Sequence, residues 1–194
     1  MRPRVVPSPR VRSALMALVL ATVLGLAGCS GDKDDAPKGD RASSGASDVA
    51  TNARLGRVRG KLAKAKAAKA LTAITTVVEQ WSDAAYDGAG SADAKGAFAA
   101  FSDDARALAV KQTALSNRRL KGDIGDAAIT RRAVRVDLIA ARNRPAGATA
   151  RIVLTVELPG LDRTDRIRGR LLLTPAKGGW KVFGFDVRRG EGAS

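Results

Sequence analysis

From Ala127 to Arg188 the apolar residues of this chain recur at every second position, and this period constrains the fold more than any other feature. Four stretches carry it. In Ile129 to Ala140, Val134, Val136 and Leu138 alternate with Arg135 and Asp137. In Thr149 to Leu158, Ile152, Leu154, Val156 and Leu158 alternate with Arg151, Val153, Thr155 and Glu157. In Asp165 to Thr174, Ile167, Gly169, Leu171 and Leu173 alternate with Arg166, Arg168 and Arg170. Such alternation gives a strand one face for a core and one for water. The breaks are turn chemistry: Asn143-Arg144-Pro145-Ala146-Gly147, Pro159-Gly160, and Pro175 to Gly179. They are too short for crossovers, so an antiparallel four-stranded meander is expected. The fourth stretch, Trp180 to Arg188, carries bulk on both faces. Either it is covered on both sides or a bulge near Gly184 switches its register. The reading places Phe183 and Phe185 inward, with Trp180 closing one end.

Ahead of the strands the period is helical. Leu71, Ile74, Val78, Trp81 and Ala85 share one face of a helix over Leu71 to Tyr86, which Asp87-Gly88 stops. Phe98 and Phe101 mark a short helix over Ala92 to Phe101. Ser102 fits the N-cap of a third, reaching about Val110, with Asp103 and Asp104 in the first turn where carboxylates suit the helix dipole. That role accounts for the acidic pair without a catalytic one. Lys111 to Asp126 reads as a loop. Thr51 to Ala70 reads as a basic helical lead-in, with Leu55, Val58 and Leu62 as a thin apolar stripe. Helices packed on one face of a curved antiparallel four-stranded sheet give an α+β domain over 71–190, with a short tail at 191–194.

The residues that chemistry most often needs are scarce. The chain has no histidine and a single cysteine, Cys29. This removes the commonest general base and metal ligand, and with them Ser-His and Cys-His mechanisms. Asp137 sits on the solvent face beside Arg135 and Arg151, a setting for a cross-strand ion pair. No catalytic residue, metal site or cofactor is expected. The formal charge is +15, from 34 Lys and Arg against 19 Asp and Glu, so the surface attracts anions. Arg54, Arg57, Lys61, Lys64, Lys66 and Lys69 fall in one acid-free segment. It is either a solvated lead-in or a surface that touches anionic lipid or wall polymer.

Residues 1–28 read as an export signal. Met1 to Arg12 carries four arginines and no acid, and Ser13 to Gly28 is an apolar run of sixteen residues, short for a spanning helix. It ends in Leu26-Ala27-Gly28-Cys29, which resembles the lipobox of bacterial lipoproteins. The resemblance implies cleavage before Cys29, lipidation of its thiol, and anchoring to the outer face of the cell membrane. Removing the signal leaves 30 cations against 19 acids. Residues 29–50, rich in Asp, Ser, Gly and Ala, are expected to form a disordered tether with a reach of ~25 Å.

The long helix ending near Tyr86-Asp87-Gly88, the Ala-Phe-Ala-Ala-Phe-Ser-Asp-Asp-Ala stretch, and the closing Gly-Gly-Trp-Lys-Val-Phe-Gly-Phe-Asp-Val resemble nuclear transport factor 2-like domains. The layout is most similar to membrane-linked members associated with mammalian-cell-entry transport loci, which usually carry a transmembrane helix in place of a lipobox. The resemblance covers about 70–188. It implies a cone-shaped domain whose pocket would be lined by Trp81, Phe98, Phe101, Val136, Leu154, Leu171 and Phe183. Those same residues would also fill an ordinary core. Two functions follow as expectations: a non-catalytic envelope scaffold or accessory subunit, or a module binding a lipid or other hydrophobic ligand in the cone. The expected partners are the membrane, an anionic lipid or wall polymer, and an envelope protein complex. Nucleic acid is not among them, since the chain carries an export signal and no usual RNA-binding motif.

Overall fold

The computed structural model describes residues 49–88 and 94–192. The chain divides into two units, Met1–Arg41 and Ala42–Ser194, and the second contains every element below. The signal, Cys29, most of the expected tether, the helix start at Ala92 and residues 193–194 lie outside the described residues.

The domain is α+β. A first strand, β1 (Thr51–Arg59), leads into the long helix α1 (Lys64–Tyr86). Two short helices follow, α2 (Ala94–Ala97) and α3 (Asp103–Ala109), then two 3₁₀ turns. Four long strands complete it: β2 (Ala128–Ala141), β3 (Arg144–Leu158), β4 (Arg163–Ala176) and β5 (Gly179–Glu191). The sheet order is β1-β2-β3-β4-β5; β2 to β5 form the antiparallel meander that the alternation dictates, and β1 joins the edge parallel to β2.

This corrects two expectations. The sheet has five strands and is mixed, not four and purely antiparallel. Residues 51–59 are a strand, not part of a helical lead-in. The physical reason is a bulge. Leu55 pairs with Val136 and Val58 with Leu138, so three residues of β1 span two of β2. The extra residue puts Leu55 and Val58 on one face at a spacing of three, which in sequence imitates a helix. The helix begins only where glycine gives way to the Lys/Ala run, so the helical reading of the lead-in holds from Lys64 onward and fails before it.

Tight turns set the register. Arg142 and Asn143 both have left-handed backbones (φ 51° and 57°), the two-residue turn that suits the twist of a hairpin, and β3 starts at once with Arg144. The sequence reading spread this break over Asn143 to Gly147, of which only Asn143 belongs to the turn. Asn143 also holds the helix onto the sheet: its Oδ1 accepts from the Ala63 amide at 2.9 Å, and its carbonyl accepts from Lys66 Nζ at 3.0 Å.

Ser102 caps α3 as expected, its hydroxyl accepting from the Ala105 amide at 3.4 Å, with Asp103 and Asp104 in the first turn. Residues 100–102 then cover part of the β5 edge: the Val182 amide donates to the Ala100 carbonyl, and the Ser102 amide to Val182. This masks an edge that would otherwise be open for pairing.

Candidate functional site

The seven residues expected to line a pocket divide six to one. Trp81, Phe98, Phe101, Val136, Leu154 and Leu171 belong to one core, each at most 1 % exposed. Of the six, Phe98 also borders an open space, a cleft of about 360 Å³ that it shares with Val110, Ser116, Arg118 and Arg119. Trp81 stands edge-on to Tyr86 at 5.5 Å between ring centroids and lies 6.4 Å from Phe101, which meets Phe98 at 5.0 Å. The rings fill the space a cone would leave open. Phe183 is a correction: it is 54 % exposed and lines nothing inside. Leu172 pairs with Gly184 and Leu173 with Val182, so Phe183 is the extra residue of a second bulge, and Val182 and Phe185 turn inward.

The opposite face of the sheet is where charge collects. Arg54 pairs with Arg135, Arg135 with Arg151, and Arg151 with Arg170, so four arginines stand directly opposite one another across β1 to β4. All four are exposed. At about 4.8 Å per strand the row spans roughly 15 Å. Like charges directly opposite on a sheet destabilise it, and among the described residues the four cations of this row meet only two acids, Asp137 and Asp186. Arg57 and Arg59 of β1 join Arg135, Arg151, Arg170, Asp137 and Thr149 around a shallow cleft of about 440 Å³. Arg166 and Arg168 continue the basic face along β4.

Two acids brace this face. Asp186 lies 3.4 Å from Arg170 and 4.0 Å from Arg188. Asp137 lies 3.2 Å from Arg151 and 3.7 Å from Arg135, and its Oδ1 accepts from the Arg57 backbone amide at 2.7 Å. That amide belongs to the β1 bulge, so the carboxylate satisfies a donor that the irregular pairing frees. Gly56 makes this approach possible, because a Cβ there would land on Asp137 Oδ1 and crowd Arg135. Asp137 is thus the cross-strand partner that its position implies. The Arg57 amide, then Arg151 and Arg135, hold its carboxyl below the usual range against an opposing effect of burial. Asp137→Asn should cost about 1–2 kcal/mol at neutral pH, the value of a charge-assisted bond discounted for partial exposure. Because the folded-state pKa is depressed, that stabilisation is complete above the unfolded carboxyl range and fades as pH falls through the folded pKa. Urea titrations of both proteins should therefore diverge at pH 7 and converge in acid.

The six cations singled out in the basic segment separate. Arg54 and Arg57 belong to the sheet face, whereas Lys61, Lys64, Lys66 and Lys69 gather around the start of α1 at one end of the domain.

A buried polar network was missed from the sequence. Asp165, 1 % exposed, faces inward on the side of Ile167 and Leu171. Its carboxylate lies 3.1 Å from Arg163 and 3.1 Å from Arg189. The Arg189 guanidinium also donates to the carbonyls of Thr113 (3.0 Å) and Ser116 (3.2 Å) and to Asn117 Oδ1, and stands 5.4 Å from the Tyr86 ring centroid. The Tyr86 hydroxyl donates to the Ala114 carbonyl at 2.6 Å, and Asn117 Nδ2 to the Tyr86 carbonyl at 2.8 Å. Burial pushes the Tyr86 hydroxyl far above its ordinary range, so it stays protonated and fastens the loop. The parity of Asp165 with Ile167 and Leu171 was the available signal. A second ion pair, Arg132 with Asp83, ties β2 to α1.

Among the described residues no group of three Cys, Asp or Glu converges to hold a metal ion, and no helix is long and apolar enough to cross a membrane. Comparison of the chain with protein-family models, with curated proteins and with solved structures finds no match in any of the three.

Proposed function

We propose that this protein is a non-catalytic, exported lipoprotein, anchored to the outer face of the cell membrane through Cys29, that serves as a scaffold or accessory subunit of an envelope complex by docking an acidic partner on the outer face of its sheet. The observation that carries the docking role is the row Arg54, Arg135, Arg151 and Arg170. Its cost to the sheet is offset when a partner brings anions to it. The anchor rests on the basic, apolar leader and on Leu26-Ala27-Gly28-Cys29.

The non-catalytic reading is supported by the work already assigned to the candidate groups. Asp137 holds the β1 bulge, Asp103 and Asp104 begin a capped helix, and the Tyr86 hydroxyl fastens a loop. The filled core favours a scaffold over a binder of hydrophobic ligands between helices and sheet. The likeness to nuclear transport factor 2-like domains is part of the proposal. The helices on one face and the meander closing at Gly179-Trp180 support it; the parallel strand β1 ahead of the long helix departs from it.

Changing all four row arginines to Gln tests the docking face, with poly-glutamate as the acidic probe and residues 30–194 as the protein. Binding should weaken about tenfold or more, and in the unaltered protein should fall steeply with salt. The melting temperature should change little, since relief of the like charges is set against loss of the ion pairs to Asp137 and Asp186. Unchanged affinity in a folded variant would remove the docking face from the account.

A further inference from the structure

The end of the domain where α1 begins carries a second surface, separate from the arginine row. Three connections meet there: the link from β1 to α1, the β2–β3 hairpin and the β4–β5 hairpin, with α1 held to the first hairpin by Asn143. The link and the start of α1 give Lys61 and Lys64, and the hairpin turns give Arg142, Arg144 and Lys177. Segments 59–70, 139–148 and 173–181 contain no Asp or Glu. Among these cations lies a groove of about 320 Å³ with an almost wholly apolar lining. Ala70, Ala73, Pro145 and Pro175 line it, half-buried Trp180 forms one wall, and Lys66 and Lys69 stand at its rim.

Each half of this arrangement is ordinary alone. Exposed lysines are solvated everywhere, and small apolar grooves occur on most domains. Together they present an apolar slot, an amphipathic indole beside it, and concentrated positive charge with no acid to neutralise it. A water-soluble polyanion would satisfy the lysines and leave the slot wet. A neutral hydrophobic molecule would fill the slot and leave the charge unanswered. The complementary ligand carries both features on one molecule. We propose that this groove binds an anionic lipid, taking one apolar chain along Ala70, Ala73 and Trp180 and setting a phosphate or carboxylate headgroup against Lys66 and Lys69. The lysine stems line the slot, and the Lys66 ammonium, which gives one bond to the Asn143 carbonyl at 3.0 Å, keeps further donors for the headgroup. The groove lies at the end of β1 remote from Thr51, about 30 Å along the strand at ~3.3 Å per residue. The same chemistry is available from a lipid within a bilayer or from a single lipid in solution.

Trp180 supplies the readout, because the only other tryptophan, Trp81, is buried in the core. The protein is residues 30–194, which contain the whole compact unit from Ala42 onward and its complete core. A monomeric lysophosphatidylglycerol with a brominated chain should quench the Trp180 emission, and Trp180→Phe should abolish that change. Lysophosphatidylcholine with the same chain should bind about tenfold more weakly or less. Lys66→Gln with Lys69→Gln should weaken the anionic lipid about 30-fold, each lysine contributing as a cation held at an anionic surface does. Ala73→Trp, which fills the slot but keeps every charge, should weaken it comparably. Sedimentation with phosphatidylglycerol vesicles separates the two sources. Co-sedimentation lost in the same variants assigns the lipid to a bilayer, and quenching without sedimentation assigns a monomer; both support the groove. Absence of quenching overturns the proposal. So does anionic-lipid binding that survives Ala73→Trp in a folded protein or is displaced fully by chain-free polyphosphate, either of which would reduce the surface to a general anion exchanger.

Discussion

Replacing Trp81 by alanine is expected to destabilise the domain by about 3–5 kcal/mol, the range found when a large buried aromatic is truncated. Trp81 is 1 % exposed and touches both Tyr86 and Phe101, so its removal opens a cavity at the junction of α1, the short helices and β5. Rings already locked in mutual contact cannot collapse far into that space. Trp81→Phe should cost far less. It keeps most of the packing and also removes the indole Nε1, which is buried without an acceptor among the described residues. Chemical denaturation of the two variants measures the difference directly. Equal, small losses would mean that the space around Trp81 is slack, and the filled-core argument against a ligand between helices and sheet would fail with it.

Arg189→Met should be of similar size, about 3–5 kcal/mol, because it removes one of two cations from buried Asp165 and leaves three loop acceptors without their donor. Arg189 reaches Asp165 on one side and the carbonyls of Thr113 and Ser116 on the other. The variant leaves Asp165 with Arg163 alone and frees the loop between α3 and β2. Amide exchange should therefore accelerate over residues 113–117 before it does so elsewhere. Pairing Arg189→Met with Asp165→Leu should recover part of the loss, since removal of both charges ends the penalty for burying one. A double variant as unstable as the sum of the singles would show that the arginine acts through packing and loop contacts, not through charge.

The parts of the fold that were legible in the sequence are those set by local periodicity. The meander, the apolar face of α1 and the Ser102 cap depend on neighbours a few residues apart, and each appears where its pattern put it. Two of the failures, the missed first strand and the outward Phe183, share one cause. Leu55 with Val58 and Val182 with Phe185 are pairs three apart that share the inner face of a strand, because a bulge absorbs one residue between them. A bulge is fixed by partner strands distant in sequence: Asp137 meets the Arg57 amide across eighty residues. The arginine row was half visible for the same reason. Arg135, Arg151 and Arg170 were read as an outer face, but their direct opposition, and the addition of Arg54, follow from register that only the assembled sheet defines. The groove at the start of α1 joins three segments remote in sequence and left no local pattern beyond the lysines.

The proposal of an anchored scaffold depends first on Cys29. Intact mass analysis of the chain extracted from membranes, beside fractionation of Cys29→Ser, addresses it most directly. The account predicts a chain that begins at Cys29 with a lipidated thiol, and a serine variant released from the membrane fraction. A chain of full length with an unmodified cysteine, still held in the membrane when Cys29 is Ser, would contradict it.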